Sequence, residues 1–325
     1  MPLITHSTYS SPALMKNGHV QTIFQTLFRR SPQISYTRER IPTPDGDFLD
    51  LDWSARGSRD LIIIFHGLEG STSATYIQSM VRSGNLSGFD TVACNLRGCS
   101  GELNHTVRAY HSGATEDLDT ILKHIVSTRL YHHLFLIGFS LGGNLVLKYL
   151  GEDRFEHPEI VCGGAAVSVP CDLEGASRRL HHFQNRMYAT RFLHRLKQKL
   201  IEKSETFPET LDRDRIRNIR TLWEFDDLYT APVHGFRDAK DYYRQCSANN
   251  FLKTIQHPTL IINARNDPLL SSSCYPVEEA RENPVLFLET PQSGGHVGFI
   301  TFREDRRYWY EIRICEFFRS ILQEI

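Results

Sequence analysis

The sequence lacks the features of several large classes of protein. No stretch of its 325 residues approaches the 18 consecutive apolar residues expected of a membrane-spanning helix. The formal net charge is only −1, so we expect no nucleic acid partner. Its seven cysteines are scattered and never stand in C-x-x-C spacing, which argues against a zinc ribbon or a disulfide framework. Neither a P-loop nor a GxGxxG fingerprint is present, and we expect no cofactor and no metal.

The remaining composition is that of an ordinary globular protein. Hydrophobic residues make up 40% of the chain and charged residues 23%. The N-terminus shows no charged segment followed by an apolar one of signal-peptide length, and we therefore expect a cytoplasmic protein. The length suits one catalytic domain with an insertion better than two equal domains.

Apolar runs alternate with helical patterns along most of the chain. A hairpin at 36–41 and 48–54 is followed by six runs typical of strands buried on both faces, at 61–65, 89–95, 134–137, 160–169, 259–263 and 285–289. Helical patterns lie between or after them, at about 73–83, 115–128, 141–151, 236–247, 276–282 and from 304 onwards. This alternation predicts an α/β fold with a mostly parallel sheet flanked by helices, and chemistry at the carboxyl ends of its strands.

One region interrupts the alternation. Residues 171–230 contain no strand-like run but include a helical pattern at 178–202. We predict a helical cap there, inserted into a core formed by residues 1–170 and 231–325. Residues 171–203 carry eight basic and three acidic residues. A solvated outer face accounts for this excess better than a membrane does, but weak peripheral contact of the cap with an anionic membrane surface stays an alternative.

The segment 134–150 has the pattern of a nucleophile elbow. An apolar run leads into Gly138-Phe139-Ser140-Leu141-Gly142 and then into a helical pattern. Glycines two positions before and after Ser140 leave room for a sharp turn that exposes the hydroxyl. The alternative is a serine that merely caps the following helix.

A serine nucleophile needs a base, and the base needs an orienting acid. His296 follows the last predicted strand within a glycine-rich loop, and Asp267 follows the strand at 259–263. The order Ser140, Asp267, His296 is that of α/β-hydrolase triads. Asp172 is the rival acid, because it too follows a predicted strand.

Backbone N–H groups of Leu68 and Leu141 are the predicted oxyanion hole. Leu141 directly follows the serine, while Leu68 lies in the loop after the strand at 61–65, where His66 and Gly70 are expected to shape the backbone. A carboxylate near a developing oxyanion is unfavourable, so Glu69 should point away.

Phe139 and Phe299 adjoin members of the predicted triad. We expect them to line the substrate pocket, with ordinary core packing as an equally good alternative.

Several blocks of sequence resemble the YheT-like branch of the α/β-hydrolase superfamily over nearly the whole chain. Those blocks are HGLEGS (66–71), NLRGCSGE (95–102), GFSLGGN (138–144), ARNDP (264–268), GGHVGF (294–299) and the N-terminal NGHVQTI (17–23). The resemblance implies an α/β-hydrolase fold with a helical cap and a triad at Ser140, Asp267 and His296. It also implies esterase or lipase-type activity, and the branch includes enzymes that make or cleave medium-chain fatty acid ethyl esters.

The expected function is cleavage of small carboxylic esters with short- to medium-chain acyl groups through an acyl-serine intermediate. An acyltransferase or ester synthase would use the same triad but pass the acyl group to an alcohol. A non-catalytic, hydrolase-like binding protein is the third and weakest hypothesis.

Overall fold

A single nine-stranded sheet runs through this computed structural model, which describes residues 3–325. In chain order, the strands are β1 (Leu3–Ile4), β2 (Thr37–Pro42), β3 (Phe48–Ser54), β4 (Asp60–Phe65), β5 (Asp90–Asn95), β6 (His133–Phe139), β7 (Val161–Val167), β8 (Thr259–Ile262) and β9 (Leu286–Glu289). Across the sheet they follow the order β1-β9-β8-β7-β6-β4-β5-β3-β2. Among the strands of residues 3–325, only the pairs β2–β3 and β3–β5 are antiparallel, which confirms the predicted mostly parallel α/β architecture.

Helices cover both faces of the sheet. They are α1 (Gly18–Leu27), α2 (Thr75–Leu86), α3 (Thr115–Thr128), α4 (Leu141–Gly151), α5 (Leu173–Leu180), α6 (Arg186–Thr206), α7 (Arg213–Asn218), α8 (Leu222–Phe225), a π-helical turn (Asp226–Thr230), α9 (Ala231–Val233), α10 (Ala239–Cys246), α11 (Val277–Glu282) and α12 (Trp309–Glu324). Among residues 3–325, no helix combines the length and apolarity required to cross a membrane.

Alternation along the central strands divides the core into two layers. In β4, Leu61, Ile63 and Phe65 pack into one buried cluster, whereas Ile62 and Ile64 pack into the other. Successive side chains of a strand point to opposite faces, so a strand covered by helices on both sides must be apolar at every position. This requirement explains why the inner strands were recognisable as continuous apolar runs.

The connection between β7 and β8 contains α5 to α10 and no strand. The single helical pattern predicted at 178–202 is wrong in detail, because α5 and α6 are separated at residues 181–185. There the amide of Asn185 donates hydrogen bonds to the carbonyl oxygens of Arg179 and Pro268. The break therefore ties the end of α5 to the loop that follows β8.

Arg97 anchors the antiparallel edge of the sheet to α3. Its side chain is only 3% exposed, and the guanidinium forms two hydrogen bonds with Asp117, of 2.7 and 2.8 Å. It also contacts Asp45 at 2.9 Å and Asp47 at 3.4 Å, both in the turn between β2 and β3. Removing one partner of a buried ion pair leaves the other charge uncompensated, so this cluster is sensitive to substitution.

Replacing Arg97 by alanine should lower the free energy of unfolding by about 3 to 5 kcal/mol, because the carboxylate of Asp117 would stay buried without its partner. Urea denaturation measures this change. The matched control is Lys253→Ala, which removes an exposed ion pair with Glu282 and should leave stability unchanged. Equal stability of the two variants would contradict the assigned role of Arg97.

Candidate functional site

Ser140 occupies a strained turn between β6 and α4. Its φ of +52° lies in the region that favours glycine. A Cβ on Gly142 would lie 2.5 Å from the carbonyl oxygen of His66, and one on Gly138 would overlap the carbonyl of Gly142. Both glycines are therefore needed for the close approach of helix to strand, as the sequence pattern predicted. A non-glycine residue held at positive φ is typical of a functional site.

The structure brings Ser140, His296 and Asp267 into one hydrogen-bonded chain. The distance from Ser140 Oγ to His296 Nε2 is 3.0 Å, and that from His296 Nδ1 to Asp267 Oδ2 is 2.9 Å. An ionised carboxylate only accepts hydrogen bonds, so Nδ1 carries the imidazole proton and Nε2 accepts from the hydroxyl. Asp267 is fully buried, and its second oxygen accepts the Leu269 N–H at 2.9 Å.

Asp172, the rival acid, lies in a different environment. Its side chain caps α5 by accepting the Gly175 N–H at 3.1 Å, and it also accepts the Ser273 hydroxyl at 2.5 Å. The structure thus places Asp267 against the histidine and gives Asp172 the role of a helix cap.

The loop after β4 lies directly against the serine. A Cβ on Gly67 would be 3.0 Å from Ser140 Cβ. Leu68, Ser140 and Leu141 line the same pocket. Within residues 3–325, the backbone N–H groups of Leu68 and Leu141 donate no hydrogen bond. Two backbone N–H donors without a protein acceptor therefore belong to residues that line the same pocket as Ser140.

His66 shapes this loop from beneath, as predicted. Its Nε2 accepts the Leu96 N–H at 3.1 Å, so Nδ1 carries the proton and donates to the Gly67 carbonyl at 2.8 Å. Complete burial lowers the pKa of His66 to about 4. The ring is therefore neutral, with both nitrogen atoms used to hold backbone groups.

Glu69 is buried away from the serine pocket, which agrees with the sequence expectation. Its carboxylate accepts the Tyr110 hydroxyl at 2.8 Å and the Lys199 ammonium at 3.0 Å. Arg195 donates to the Glu69 carbonyl at 3.2 Å. Both basic residues belong to α6, so the ion pair ties that helix to the loop carrying Leu68.

A cavity of about 130 Å³ opens beside Ser140 and His296. Helices from the β7–β8 connection supply most of its apolar wall, including Leu173, Leu180, Phe192, Leu196 and Phe225. Across residues 3–325, no group of three or more His, Cys, Asp or Glu side chains is arranged to hold a metal ion.

Phe139 and Phe299 do not line this cavity, and the expectation that they contribute to it is wrong. Both are fully buried. Phe139 packs edge-on against Tyr76 and Tyr310 at ring distances of 5.0 and 5.8 Å, while Phe299 packs against Tyr9 at 5.6 Å. For Phe139 the physical reason is strand alternation, which directs it with Ile137 into the layer opposite Leu136.

Asp226 is a polar member of the cavity wall that sequence reasoning missed. Its carboxyl group accepts hydrogen bonds from Tyr243 at 2.5 Å and Thr230 at 2.6 Å. Burial raises its pKa to about 6. The partner tyrosine is 17 residues away, so no local pattern singled out this aspartate among the others of the chain.

The raised pKa of Asp226 predicts a specific dependence of stability on pH. A rise from 3.8 to about 6 favours the neutral carboxyl in the folded state. Its contribution is complete below pH 3.8 and disappears as the pH rises through about 6. Relative to Asp226→Asn, the wild type should lose about 3 kcal/mol of unfolding free energy across this range. Denaturation of both proteins between pH 4 and 7 measures the difference, and a constant difference would contradict the prediction.

Comparison with known proteins places this geometry in a family. The family model described as alpha/beta hydrolase fold matches residues 60–302. YheT of Escherichia coli (strain K12), whose name assigns it provisionally to the esterases, is 36% identical over 94% of this chain and 92% of its own length. The Mus musculus protein named phospholipase ABHD3 is 30% identical over 99% of this chain and 80% of its own length.

A solved structure supports the same fold. The esterase Pf2001 of Pyrococcus furiosus superposes with a TM-score of 0.59 at 21% identity, covering 90% of this chain and 96% of that one. At this level of identity the likeness concerns the fold alone. Together with the family match and the YheT relative, it leads to one conclusion. The chain belongs to the α/β-hydrolase family, in its YheT-like branch, and is a carboxylic ester hydrolase.

Proposed function

We propose that this hydrolase cleaves esters of short- to medium-chain acids through an acyl-enzyme formed on Ser140. The observation that carries the proposal is the continuous hydrogen-bonded chain from Ser140 Oγ through His296 to Asp267, with contacts of 3.0 and 2.9 Å. Such an arrangement provides a nucleophile, a base within reach of its proton, and an acid that fixes the base in the required tautomer.

Acylation begins when His296 Nε2 removes the Ser140 proton and Oγ attacks the ester carbonyl carbon. The carbonyl π electrons move to oxygen, and the Leu68 and Leu141 N–H groups stabilise the resulting oxyanion. Leu141 is also the first residue of α4, so the positive end of that helix dipole faces the developing charge. Asp267 stabilises the imidazolium that forms.

Collapse of the tetrahedral intermediate breaks the bond to the alcohol, which leaves with the proton held by His296. Water then enters, loses a proton to the same imidazole and attacks the acyl carbon. The second collapse releases the carboxylic acid and returns the proton to Ser140 Oγ. Atoms and protons balance over the cycle without a cofactor.

The helices of residues 171–230 act in this proposal as a cap over the acyl group. They supply a large part of the apolar wall of the cavity, and α6 contacts the loop carrying Leu68 through the ion pair of Lys199 with Glu69. A cavity of about 130 Å³ is close in size to an engineered cavity of about 150 Å³ that holds benzene. We therefore place the optimum at acyl chains of about four to six carbons.

Activity on p-nitrophenyl esters should depend on acyl length and on Ser140. The ratio kcat/KM should peak at butanoyl or hexanoyl esters and fall for longer chains, because longer acyl groups exceed the volume of about 130 Å³ available beside Ser140. In Ser140→Ala, kcat should fall by about 10⁴-fold or more. A kcat/KM that rises steadily up to the dodecanoyl ester would contradict the preference for short acyl chains. Substantial turnover by Ser140→Ala would contradict an acyl-enzyme on Ser140.

The identity of the orienting acid can be tested with a matched pair of substitutions. Asp267→Asn should lower kcat by about 10³- to 10⁴-fold, since the amide would stabilise the wrong imidazole tautomer. Asp172→Asn changes an aspartate that caps α5 instead, and its kcat should stay close to that of the wild type. If the Asp172 variant were inactive and the Asp267 variant active, the assignment would be reversed. Steady-state kinetics on a butanoyl ester distinguishes these outcomes.

A further inference from the structure

The helix α1 contacts both loops of the proposed acid–base pair. It contains most of the NGHVQTI block that the sequence shares with the YheT-like branch, a block that the chemistry described so far leaves unexplained. One of these loops follows β8 and carries Asp267; the other follows β9 and carries His296. Both acid and base thus depend on loops, whose positions have to be held by contacts with the rest of the protein.

The loop carrying His296 is strained. The non-glycine residues Val297 and Phe299 have φ values of +56° and +41°, in the region that favours glycine. Conformations of this kind cost free energy and persist only where the surrounding structure holds them in place. The strain therefore requires external support close to His296.

Thr22 of α1 supplies one such support. Its buried hydroxyl accepts the backbone N–H of His296 at 2.8 Å and donates to the Gly18 carbonyl at 2.7 Å. The donating and accepting functions of this single hydroxyl are thus both used. Removing it would leave the His296 N–H without its partner and free the backbone that sets the imidazole position.

Asn266 links the same helix region to both loops. Its side chain donates to the Lys16 carbonyl at 2.7 Å and accepts the Gly295 N–H at 3.0 Å. Gly18 packs so closely that an added Cβ would overlap the carbonyl oxygen of Asn266. Asn266 and Gly295, which directly precede Asp267 and His296, are thereby joined to each other and to the start of α1.

A third contact secures the far side of the histidine loop. Gln21 Oε1 accepts the Ile300 N–H at 3.1 Å and the Tyr9 hydroxyl at 2.8 Å. A Cβ on Gly298 would lie 2.8 Å from that of Gln21. Hydrogen bonds to one turn of α1 thus hold His296 before Val297 and Ile300 after it.

From these contacts we infer that α1 is a positioning clamp for the acid–base pair and that Thr22 is a positioning residue for His296. The inference rests on the proposed function. In this role α1 does not contact the substrate. It affects catalysis only through the position of the His296 imidazole relative to Ser140. An offset near 1 Å in a catalytic group can cost about 10²-fold in rate. The clamp should accordingly govern kcat, with little effect on KM.

Three substitutions on the same helix test this inference in the full-length protein. Thr22→Val removes the hydroxyl at nearly constant volume and should lower kcat about 10- to 100-fold, with KM within about twofold. Thr22→Ser keeps the hydroxyl and should restore kcat to within about threefold of the wild type. Thr26→Val is the matched control, because Thr26 also bonds the carbonyl four residues earlier, Thr22 O, but does not contact the histidine loop.

Steady-state kinetics with a butanoyl ester, thermal unfolding and the rate of fluorophosphonate labelling at Ser140 provide the readouts. Wild-type kcat in folded Thr22→Val, or an equal loss in Thr22→Ser or Thr26→Val, would overturn the inference. If Thr22→Val does not fold, Asn266→Ala takes its place, with an expected loss of at least about fivefold in kcat; wild-type kcat in that variant would likewise overturn it. Full activity of Ser140→Ala would instead refute the proposed function, which separates the two failures.

Discussion

The turn at Ser140 is the constraint on which the site depends. Ser140 stands there at a φ of +52°, a strained conformation that is held in place by the close approach of α4 to the neighbouring strands. Gly138 and Gly142 permit that approach, and a side chain on Gly142 would meet the carbonyl oxygens of Phe65 and His66. The same close packing brings the β4 loop against the serine. The positions of the Ser140 hydroxyl and of the Leu68 and Leu141 N–H groups therefore follow from one piece of backbone geometry.

The sheet also brings the Asp267 carboxylate and the His296 imidazole to this turn. The carboxyl-terminal ends of the parallel strands β6, β8 and β9 lie on the same side of the sheet. The loops after them can therefore meet although they are far apart in sequence. A place in a loop after one of these strands does not by itself bring the His296 imidazole within hydrogen-bonding distance of Ser140. The hydroxyl of Thr22 holds the backbone of His296, and Lys199 separately holds Glu69 in the loop that carries Leu68.

The features predictable from sequence are those whose cause is local. The turn around Ser140 was recognisable because its glycines and flanking periodicities lie within one short segment, and the inner strands because burial on both faces requires continuous apolar runs. Asp267 was favoured over Asp172 because its strand is followed closely by the strand that leads to His296 and because an Asn-Asp-Pro turn would hold its carboxylate in place.

Features that depend on distant contacts were missed or misplaced. Helix α1 went unpredicted because its buried positions include the polar residues Gln21 and Gln25, whose burial depends on tertiary contacts. The raised pKa of Asp226 arises from burial in the folded protein. Phe139 was misassigned because adjacency to Ser140 in sequence does not determine the face on which a strand residue points.

Detection of the acyl-enzyme is the most direct test of the proposed mechanism at Ser140. The protein would be mixed with a butanoyl ester, quenched in acid within milliseconds and digested for mass spectrometry. A butanoyl group should appear on the peptide containing Ser140, formed with a burst of alcohol release and lost at the rate of turnover. Turnover with an unmodified Ser140, or with the acyl group on a different residue, would contradict that mechanism.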